Sequence, residues 1–334
     1  MSGDAATIEG NMSAPAFAGF WRRVGAFAVD GLVLGIPGFA LGTLFFDQAA
    51  ALGANGRLIG WGVAILYLGL LNSQVGNGQT VGKRLLKLRV LGMDGAPLDL
   101  GTALVRAALL TGPWFLNGYV LAGLSGDLTS KIVGWALGLA VLGGNIALIY
   151  LFLFNRPSRR SLHDLLCRSC VVSATTATLP SGATTPSRRV WAGLAIPAAL
   201  LLLAPLAFYR FFSPTLMAAY AAADALPEVL SVGVAQQKMI IASTSATKSS
   251  AEASEVLTIN ARLRSLGSLQ DRQRELARVA AAVLKAASVA PTTRMVVSLN
   301  YGFDFGFASS FRGFSENGTP AAWQDFINKM APVD

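Results

Sequence analysis

The sequence predicts an all-α transmembrane helix bundle of about five spans, followed by a small α+β extracytoplasmic domain. First, the chain of 334 residues is 53% hydrophobic and only 13% charged, whereas soluble domains are about 25% charged. Second, five apolar stretches approach the roughly 20 residues that a membrane-crossing helix needs. Third, residues 213–334 have the mixed composition of a soluble domain. This composition excludes a coiled coil, a disordered acidic chain and a disulfide-rich secreted scaffold.

The five apolar stretches are interpreted as membrane spans. The first contains Asp30 and is longer than the roughly 7 to 15 apolar residues of a signal peptide, which favours a retained span. The third contains Arg106 and Pro113, so it could begin as an interfacial helix and enter the bilayer only after the proline. In chain order the stretches are residues 24–46, 58–75, 104 or 109 to 124, 132–154 and 190–212.

Basic residues predict the orientation of these spans. The formal net charge is +9, and residues 1–212 contain 16 basic and 8 acidic residues, against 11 and 10 in the remainder. Thirteen of the 16 basic residues lie in segments that would face one side of the membrane, and two lie in the opposite short loops. Because basic loops are retained in the cytoplasm, we expect a cytoplasmic N-terminus and an outer tail. Basic residues placed between apolar runs argue against nucleic-acid binding.

Asp30 is the first candidate functional residue. An Asp near the centre of a membrane helix costs about 2.5 to 3.5 kcal/mol, so it calls for a partner or a function. Arg23 lies about two helical turns earlier, so the two side chains are not expected to pair along one straight helix. Other polar residues of the spans could line an ion path with Asp30 or form hydrogen bonds between helices: Asn72, Ser73, Gln74, Asn117 and Asn145.

Three motifs in this order resemble the RDD family of bacterial membrane proteins. They are AGFWRR at residues 18–23 followed by Asp30, GQTVGKRLL at residues 78–86 followed by LRV, and RRSLHD at residues 159–164. The family is named after one arginine and two aspartates, which correspond here to Arg23, Asp30 and Asp164. The chain departs from the family pattern after Asp164, at Leu165, Cys167 and Arg168.

The resemblance covers about residues 17–172 and implies a multi-pass protein of the bacterial inner membrane, with sodium or proton exchange ascribed to some members. Together with the apolar stretches, this resemblance predicts that the chain divides into four segments. Residues 1–172 form an RDD-like domain with four spans, 173–189 a linker rich in Ser, Thr, Ala and Pro, 190–212 the fifth span, and 213–334 a periplasmic domain. The tail resembles no family.

We define residues 76–100 as the basic loop. Its sequence predicts a surface element on the inner face of the membrane. Leu85, Leu86, Leu88 and Val90 are expected to supply apolar contacts. A phosphate-binding loop is excluded, because residue 77 is not the glycine and residue 84 is not the hydroxyl residue that this motif requires. Four side chains are expected to face the anionic leaflet, at about 1 kcal/mol each: Lys83, Arg84, Lys87 and Arg89.

Cys167 and Cys170 form a C-x-x-C pair next to His163. Structural zinc normally takes four protein ligands, and the chain contains only two cysteines and one histidine. We therefore expect reduced thiols in the cytoplasm and predict no metal site and no cofactor. The single histidine leaves few ways to build a hydrolase site with a histidine base. The sequence therefore predicts no catalytic residues and no enzyme.

The tail pattern predicts helices near residues 215–226 and 269–287 and extended segments near 229–243 and 255–264. Thr319 and Pro320 predict the start of a terminal helix. Four aromatics alternate with small or polar residues and are expected on one face of a strand. The four residues are Tyr301, Phe303, Phe305 and Phe307. They are a candidate stripe for binding a partner. The alternative, which the pattern favours, is that they form the core of a small sheet covered by the helix near residues 269–287.

Two non-enzymatic functions follow from these observations. The first is ion-coupled transport of sodium or protons through Asp30. The second is a membrane-anchored scaffold or sensor whose outer domain binds an envelope partner. A homo-oligomer is the other protein partner that the sequence leaves open. In both functions, the bilayer with its anionic inner leaflet is an expected partner.

Overall fold

A computed structural model describes residues 17–117, 128–156, 158–175, 186–211, 213–245 and 248–330. The chain divides into two compact units. The first unit comprises residues 1–33, 63–112 and 144–197, and the second comprises residues 34–62, 113–143 and 198–334. Most of the predicted polar linker and the end of the third predicted span lie outside the described residues.

Helices occur at all five predicted span positions. Among the described residues, two helices, Phe20–Leu44 and Ile132–Phe154, are long and apolar enough to cross a membrane. A short helix, α2, Phe46–Ala51, follows the first long helix. The helices at the predicted spans are α1, Phe20–Leu44; α3, Asn55–Asn72; α5, Leu100–Leu116; α6, Leu128–Gly138, which continues through a π-helical turn, Leu139–Gly143, into α7, Gly144–Phe154; and α9, Arg188–Phe211.

The basic loop folds as part of a small module in the first unit. It forms α4, Val81–Leu85, and β1, Leu88–Gly92, which pairs antiparallel with β2, Ser169–Ser173; α8, Leu162–Leu166, precedes β2. Leu88 and Val90 are fully buried, as predicted, because alternate positions of β1 face the core that contains Ala26. Leu85, the last residue of α4, is exposed.

The tail forms a four-stranded sheet with helices in the second unit. Its strand order is β3-β4-β5-β6; β4 and β5 are parallel because α11 crosses between them, and the other neighbours are antiparallel. The elements are α10, Pro214–Asp224; β3, Val229–Ser245; β4, Lys248–Leu263; α11, Leu269–Ala286; β5, Arg294–Asp304; β6, Ser309–Gly318; and α12, Pro320–Met330.

The tail core confirms the predicted helical pattern of α11. Leu276, Val279 and Val283 are fully buried in one cluster with Met295 and Leu299 of β5. These residues share one helix face because they recur at spacings of three and four.

The start of α12 also agrees with the prediction. The Thr319 hydroxyl accepts a hydrogen bond from the Ala322 amide at 3.3 Å. This satisfies one of the backbone donors that a helix leaves free at its first turn.

The aromatic stripe differs from the prediction. β5 ends at Asp304, so a strand that continues through Phe307 is wrong. The Asp304 carboxylate accepts a hydrogen bond from the Gly306 amide at 2.7 Å, and the Phe305 amide donates to the Ala308 carbonyl at 2.9 Å. Gly306 has φ of +83°, which favours glycine. These contacts turn the chain, so only Tyr301 and Phe303 remain on the strand.

Candidate functional site

The Asp30 carboxylate is buried in the first unit and accepts three hydrogen bonds. Its Oδ1 accepts from the Tyr67 hydroxyl and from the Gly82 amide, both at 2.8 Å. Its Oδ2 accepts from the Thr80 hydroxyl at 2.6 Å. Thr80 is the N-cap residue of α4, so Asp30 attaches the beginning of α4 to α1. Three donors offset much of the cost of burying this charge.

A glycine permits this attachment. A Cβ at Gly82 would collide with the backbone carbonyl of Ala26 on α1. The absence of a side chain therefore lets α4 approach α1 closely enough for the Gly82 amide to reach Asp30.

Asp164 is the centre of a second buried cluster in the first unit. Its Oδ1 accepts hydrogen bonds from Arg106 Nη2 at 2.6 Å, from Arg106 Nε at 3.0 Å and from the Ser169 hydroxyl at 3.1 Å. Arg23 Nη1 lies 3.8 Å from its Oδ2. The side chains of Asp164 and Arg106 are 1% and 3% exposed. Water therefore has almost no access to either group and could not replace a lost partner.

The start of α8 positions Asp164. The Ser161 amide donates to Asp164 Oδ2 at 3.4 Å, and the Ser161 hydroxyl donates to the Leu148 carbonyl of α7 at 2.7 Å. Ser161 thus connects the first turn of α8 to α7, and the carboxylate is held on the side of α8 that faces the arginines.

Arg23 holds three backbone carbonyls as well as Asp164. Its Nη1 donates to the Arg159 carbonyl at 2.8 Å, and its Nη2 donates to the carbonyls of Ser158 and Val171 at 3.1 and 2.9 Å. Arg23 pairs with Asp164 and not with Asp30, in agreement with the prediction from helix geometry. The two family aspartates therefore belong to different hydrogen-bond clusters.

The charges around Asp164 keep it ionised. Burial raises the pKa of its carboxyl, but the positive charges of His163 in its protonated form, of Arg106 and of Arg23 outweigh that effect and hold the pKa below the ordinary range. Burial lowers the pKa of His163 to about 3, so this imidazole is neutral at pH 7. Its Nε2 lies 3.5 Å from Asp164 Oδ1, and its Nδ1 has no hydrogen-bond partner among the described residues. The cluster at pH 7 is thus one carboxylate with two guanidinium groups.

The predicted leaflet-facing residues fall into two groups. Arg84 and Lys87 are exposed, whereas Arg89 and Lys83 are half-buried. Burial lowers the pKa of Lys83 to about 8, and the charges of both family aspartates act on it. Lys83 therefore belongs electrostatically to the buried clusters, a placement that its sequence position in a basic run did not indicate.

Sequence reasoning missed Arg106, Tyr67, Thr80 and Gly82 as members of these clusters. Arg106 carried a usable signal, because an arginine inside an apolar stretch calls for a buried anion. Thr80 and Gly82 lie within the second motif, but nothing in the motif indicates that they contact Asp30.

Cys167 and Cys170 are free thiols. Burial raises the pKa of Cys170 to about 11, so it is protonated at pH 7. Within the described ranges no three His, Cys, Asp or Glu side chains lie close enough to hold a metal ion.

The aromatic loop, which we define as residues 303–308, packs within the second unit. Tyr301 lies in the sheet core with α11, as the sequence favours. Phe303 is fully buried, but its ring lies 6.5 Å from that of Phe39 and 5.8 Å from that of Phe46. The Phe305 ring follows at 5.1 Å from that of Phe303. The candidate partner-binding stripe thus packs against residues of its own chain.

Glycines accommodate the aromatic loop. A Cβ at any of four glycines would overlap an atom of residues 303–307. Two of these glycines lie one turn apart on α1, and the other two lie one turn apart on α3. They are Gly38 and Gly42 on α1, and Gly56 and Gly60 on α3.

Arg57 of α3 forms an ion pair with the aromatic loop and hydrogen bonds with residues next to it. Its Nη1 pairs with Asp304 Oδ2 at 3.0 Å, and its other nitrogens donate to the carbonyls of Trp114 and Phe115 at 2.6 and 3.1 Å. The Trp114 indole donates to the Gly306 carbonyl at 3.0 Å. These polar contacts fix the loop where its rings meet the glycines.

Two long apolar helices among the described residues, one of which buries the Asp30 carboxylate, indicate the class of integral membrane proteins. Residues 17–168 match the model of the RDD family, the family that the three motifs resemble. The C-terminal domain has no family match.

One curated relative is the uncharacterized protein YxaI of Bacillus subtilis (strain 168). It is 28% identical over 127 residues, which cover 31% of this chain and 83% of the relative. No solved structure matches this chain.

Proposed function

We propose that this protein is a non-enzymatic sensor or scaffold of the bacterial inner membrane, whose C-terminal domain binds an envelope partner. The observation that carries the proposal is the docking of the aromatic loop among the glycines of α1 and α3. A tail that used the helices only as an anchor would need no fitted surface. A tail held by Arg57 and by four glycines moves together with the helix segments that it contacts, so binding at the tail acts on those helices.

The proposed topology has five spans, a cytoplasmic N-terminus and a periplasmic tail. The 25 residues of α1 extend about 37 Å at about 1.5 Å per residue, which exceeds the roughly 30 Å of the hydrocarbon core. The excess of basic residues in alternate loops supports the orientation. Reporter fusions after Arg89 and after Ser213 are therefore expected to report the cytoplasm and the periplasm. Two fusions on the same side would contradict the topology.

The contacts of Asp30 favour anchoring over ion passage. Both carboxylate oxygens accept hydrogen bonds, and two of the three donors, Thr80 and Gly82, belong to the first turn of α4 or its cap. An ion that bound Asp30 would have to displace these donors. In this proposal Asp30 and Asp164 hold the β1–β2 module to the helices.

Ion-coupled transport through Asp30 is the second candidate. It is supported by the burial of Asp30 inside a long apolar helix and by the neighbouring charge of Lys83, whose pKa is lowered to about 8 by burial. A carboxylate beside a readily deprotonated amine is a pair that can exchange protons with its surroundings.

Ion flux in vesicles separates the two functions. We expect sodium and proton flux through purified protein to equal that of empty vesicles, and Asp30→Asn to leave it unchanged, because the carboxylate serves as an anchor. Asp325→Asn is the control, since Asp325 is exposed on α12. Circular dichroism and gel filtration verify that each variant is folded. A flux that Asp30→Asn reduces about tenfold or more, with the control unaffected, would overturn the sensor proposal and establish transport.

A further inference from the structure

A cavity in the second unit lies where α2, the start of α11 and the sheet meet. Its volume is about 330 Å³, at the lower end of the roughly 300–1,000 Å³ of small-ligand sites. Asp47 of α2, Gly267, Arg272 of α11, Tyr301 of β5 and Arg312 of β6 line it. The functions considered above assign no role to this cavity.

The cavity has an excess of positive charge. Arg272 and Arg312 face a single carboxylate, that of Asp47, whose Oδ1 already accepts a hydrogen bond from the Tyr301 hydroxyl at 2.8 Å. Of the ion pairs formed by described residues, none involves either arginine. The cavity thus carries two cations against one anion, and it favours a ligand with negative charge.

The two guanidinium groups have free donors. Arg272 Nε is buried and has no hydrogen-bond partner in the described part of the chain, and its Nη2 makes one long bond of 3.4 Å to the Gly267 carbonyl. The Arg312 side chain is exposed, and its guanidinium lies 4.3 Å from the centre of the Phe46 ring, so its N–H donors are open to solvent and available to a ligand. A buried donor without an acceptor is unfavourable, so a bound oxyanion would relieve it.

We propose that this cavity binds a phosphate group, either free or in a lipid headgroup. Guanidinium forks pair with phosphate oxygens through two parallel hydrogen bonds. Two forks on different elements suit a tetrahedral group, whose oxygens point in different directions, better than a planar carboxylate. The Asp47 carboxylate on the wall opposes a high ligand charge and favours a phosphate with one negative charge, such as a diester.

Phosphate would be the ligand of the proposed sensor. Only this role of the phosphate rests on the proposed function; the binding itself does not. Phe46 lies beneath Arg312, and its ring is 5.6 Å from that of Tyr301 and 5.8 Å from that of Phe303. A phosphate that draws Arg312 toward itself therefore acts on the ring that packs against the aromatic loop.

Calorimetry on the full chain in a phosphate-free maltoside detergent tests the proposal. The ligands are inorganic phosphate, dihexanoyl phosphatidylglycerol, and dihexanoylglycerol as the matched lipid without phosphate, all at constant ionic strength. We expect at least one phosphate ligand to bind and dihexanoylglycerol not to bind. Arg272→Gln and Arg312→Gln are each expected to weaken binding about tenfold or more, because each removes charge-assisted hydrogen bonds. Arg274→Gln, an exposed change on the same helix, is expected to leave binding unchanged.

The ligand that binds identifies the source. Binding of inorganic phosphate supports a site for free phosphate, and binding of the lipid alone supports a headgroup site. Absence of binding by both, or equal binding by wild type and both arginine variants, would overturn the proposal. A rise of the wild-type Tm in phosphate relative to chloride is a second readout that needs no variant. Binding without any change in the hydrogen exchange of the aromatic loop would leave the site standing and contradict the sensor.

Discussion

Asp164→Asn is expected to destabilise the first unit by about 3–5 kcal/mol, the usual cost of removing one partner from a buried ion pair. The variant keeps the shape of the side chain but removes the charge that compensates Arg106 and Arg23. The Arg106 side chain is 3% exposed, so water cannot replace the carboxylate. The measurement is the free energy of unfolding of the purified protein in detergent, followed by circular dichroism during a denaturant titration.

The matched control for this variant is Asp325→Asn, the same chemical change on an exposed position of α12. It is expected to alter stability by less than about 0.5 kcal/mol. If the two variants were equally stable, the Asp164 cluster would not hold the first unit together, and the family aspartate would need another explanation.

Gly60→Ala is expected to displace the aromatic loop and to destabilise the second unit by about 1–3 kcal/mol, as overpacking usually does. The added Cβ would overlap the backbone carbonyl of Phe305. Backbone atoms cannot rotate away as a flexible side chain can, so the loop itself must move. Faster hydrogen exchange of the Phe305 and Gly306 amides, together with a lower Tm, is the expected readout, because both amides donate within the loop.

Gly62→Ala provides the control two residues further along α3. A Cβ there has no atom within 4 Å, so the change is expected to leave the loop in place and to stabilise the helix by about 0.5–1 kcal/mol. Equal protection of the loop amides in both variants would show that the loop does not depend on the close approach to α3, and the sensor proposal would lose its main support.

Much of the secondary structure could be predicted because its signals are local. The apolar spacing of residues 269–287 predicts a helix that the structure confirms as α11, Leu269–Ala286. Thr319 predicts the start of α12 for the same reason. The prediction for Phe305 and Phe307 is wrong because the alternating sequence pattern continues past Asp304, whereas the hydrogen bond that the Gly306 amide donates to the Asp304 carboxylate turns the chain and ends the strand.

The contacts of the candidate sites are not local, and most could not be predicted. Arg106 and Asp164 are 58 residues apart, and Arg57 and Asp304 are 247 residues apart. Sequence spacing predicts whether two side chains meet only when both lie on the same helix or strand. For Arg23 and Asp30, both on α1, it correctly predicted that they do not pair.

The sequence by itself indicated a membrane-type helical chain with three motifs that resemble the RDD family and a mixed α+β tail. Composition, periodicity and motif spacing are properties of the linear chain, so they suffice for these conclusions. Only the tertiary structure decided that Asp30 binds the start of α4, that Asp164 binds two arginines, and that the tail aromatics pack among the glycines of α1 and α3. A buried charge or ring takes its partner from whichever residues the fold brings within about 3 to 4 Å, and these lie far apart along the chain.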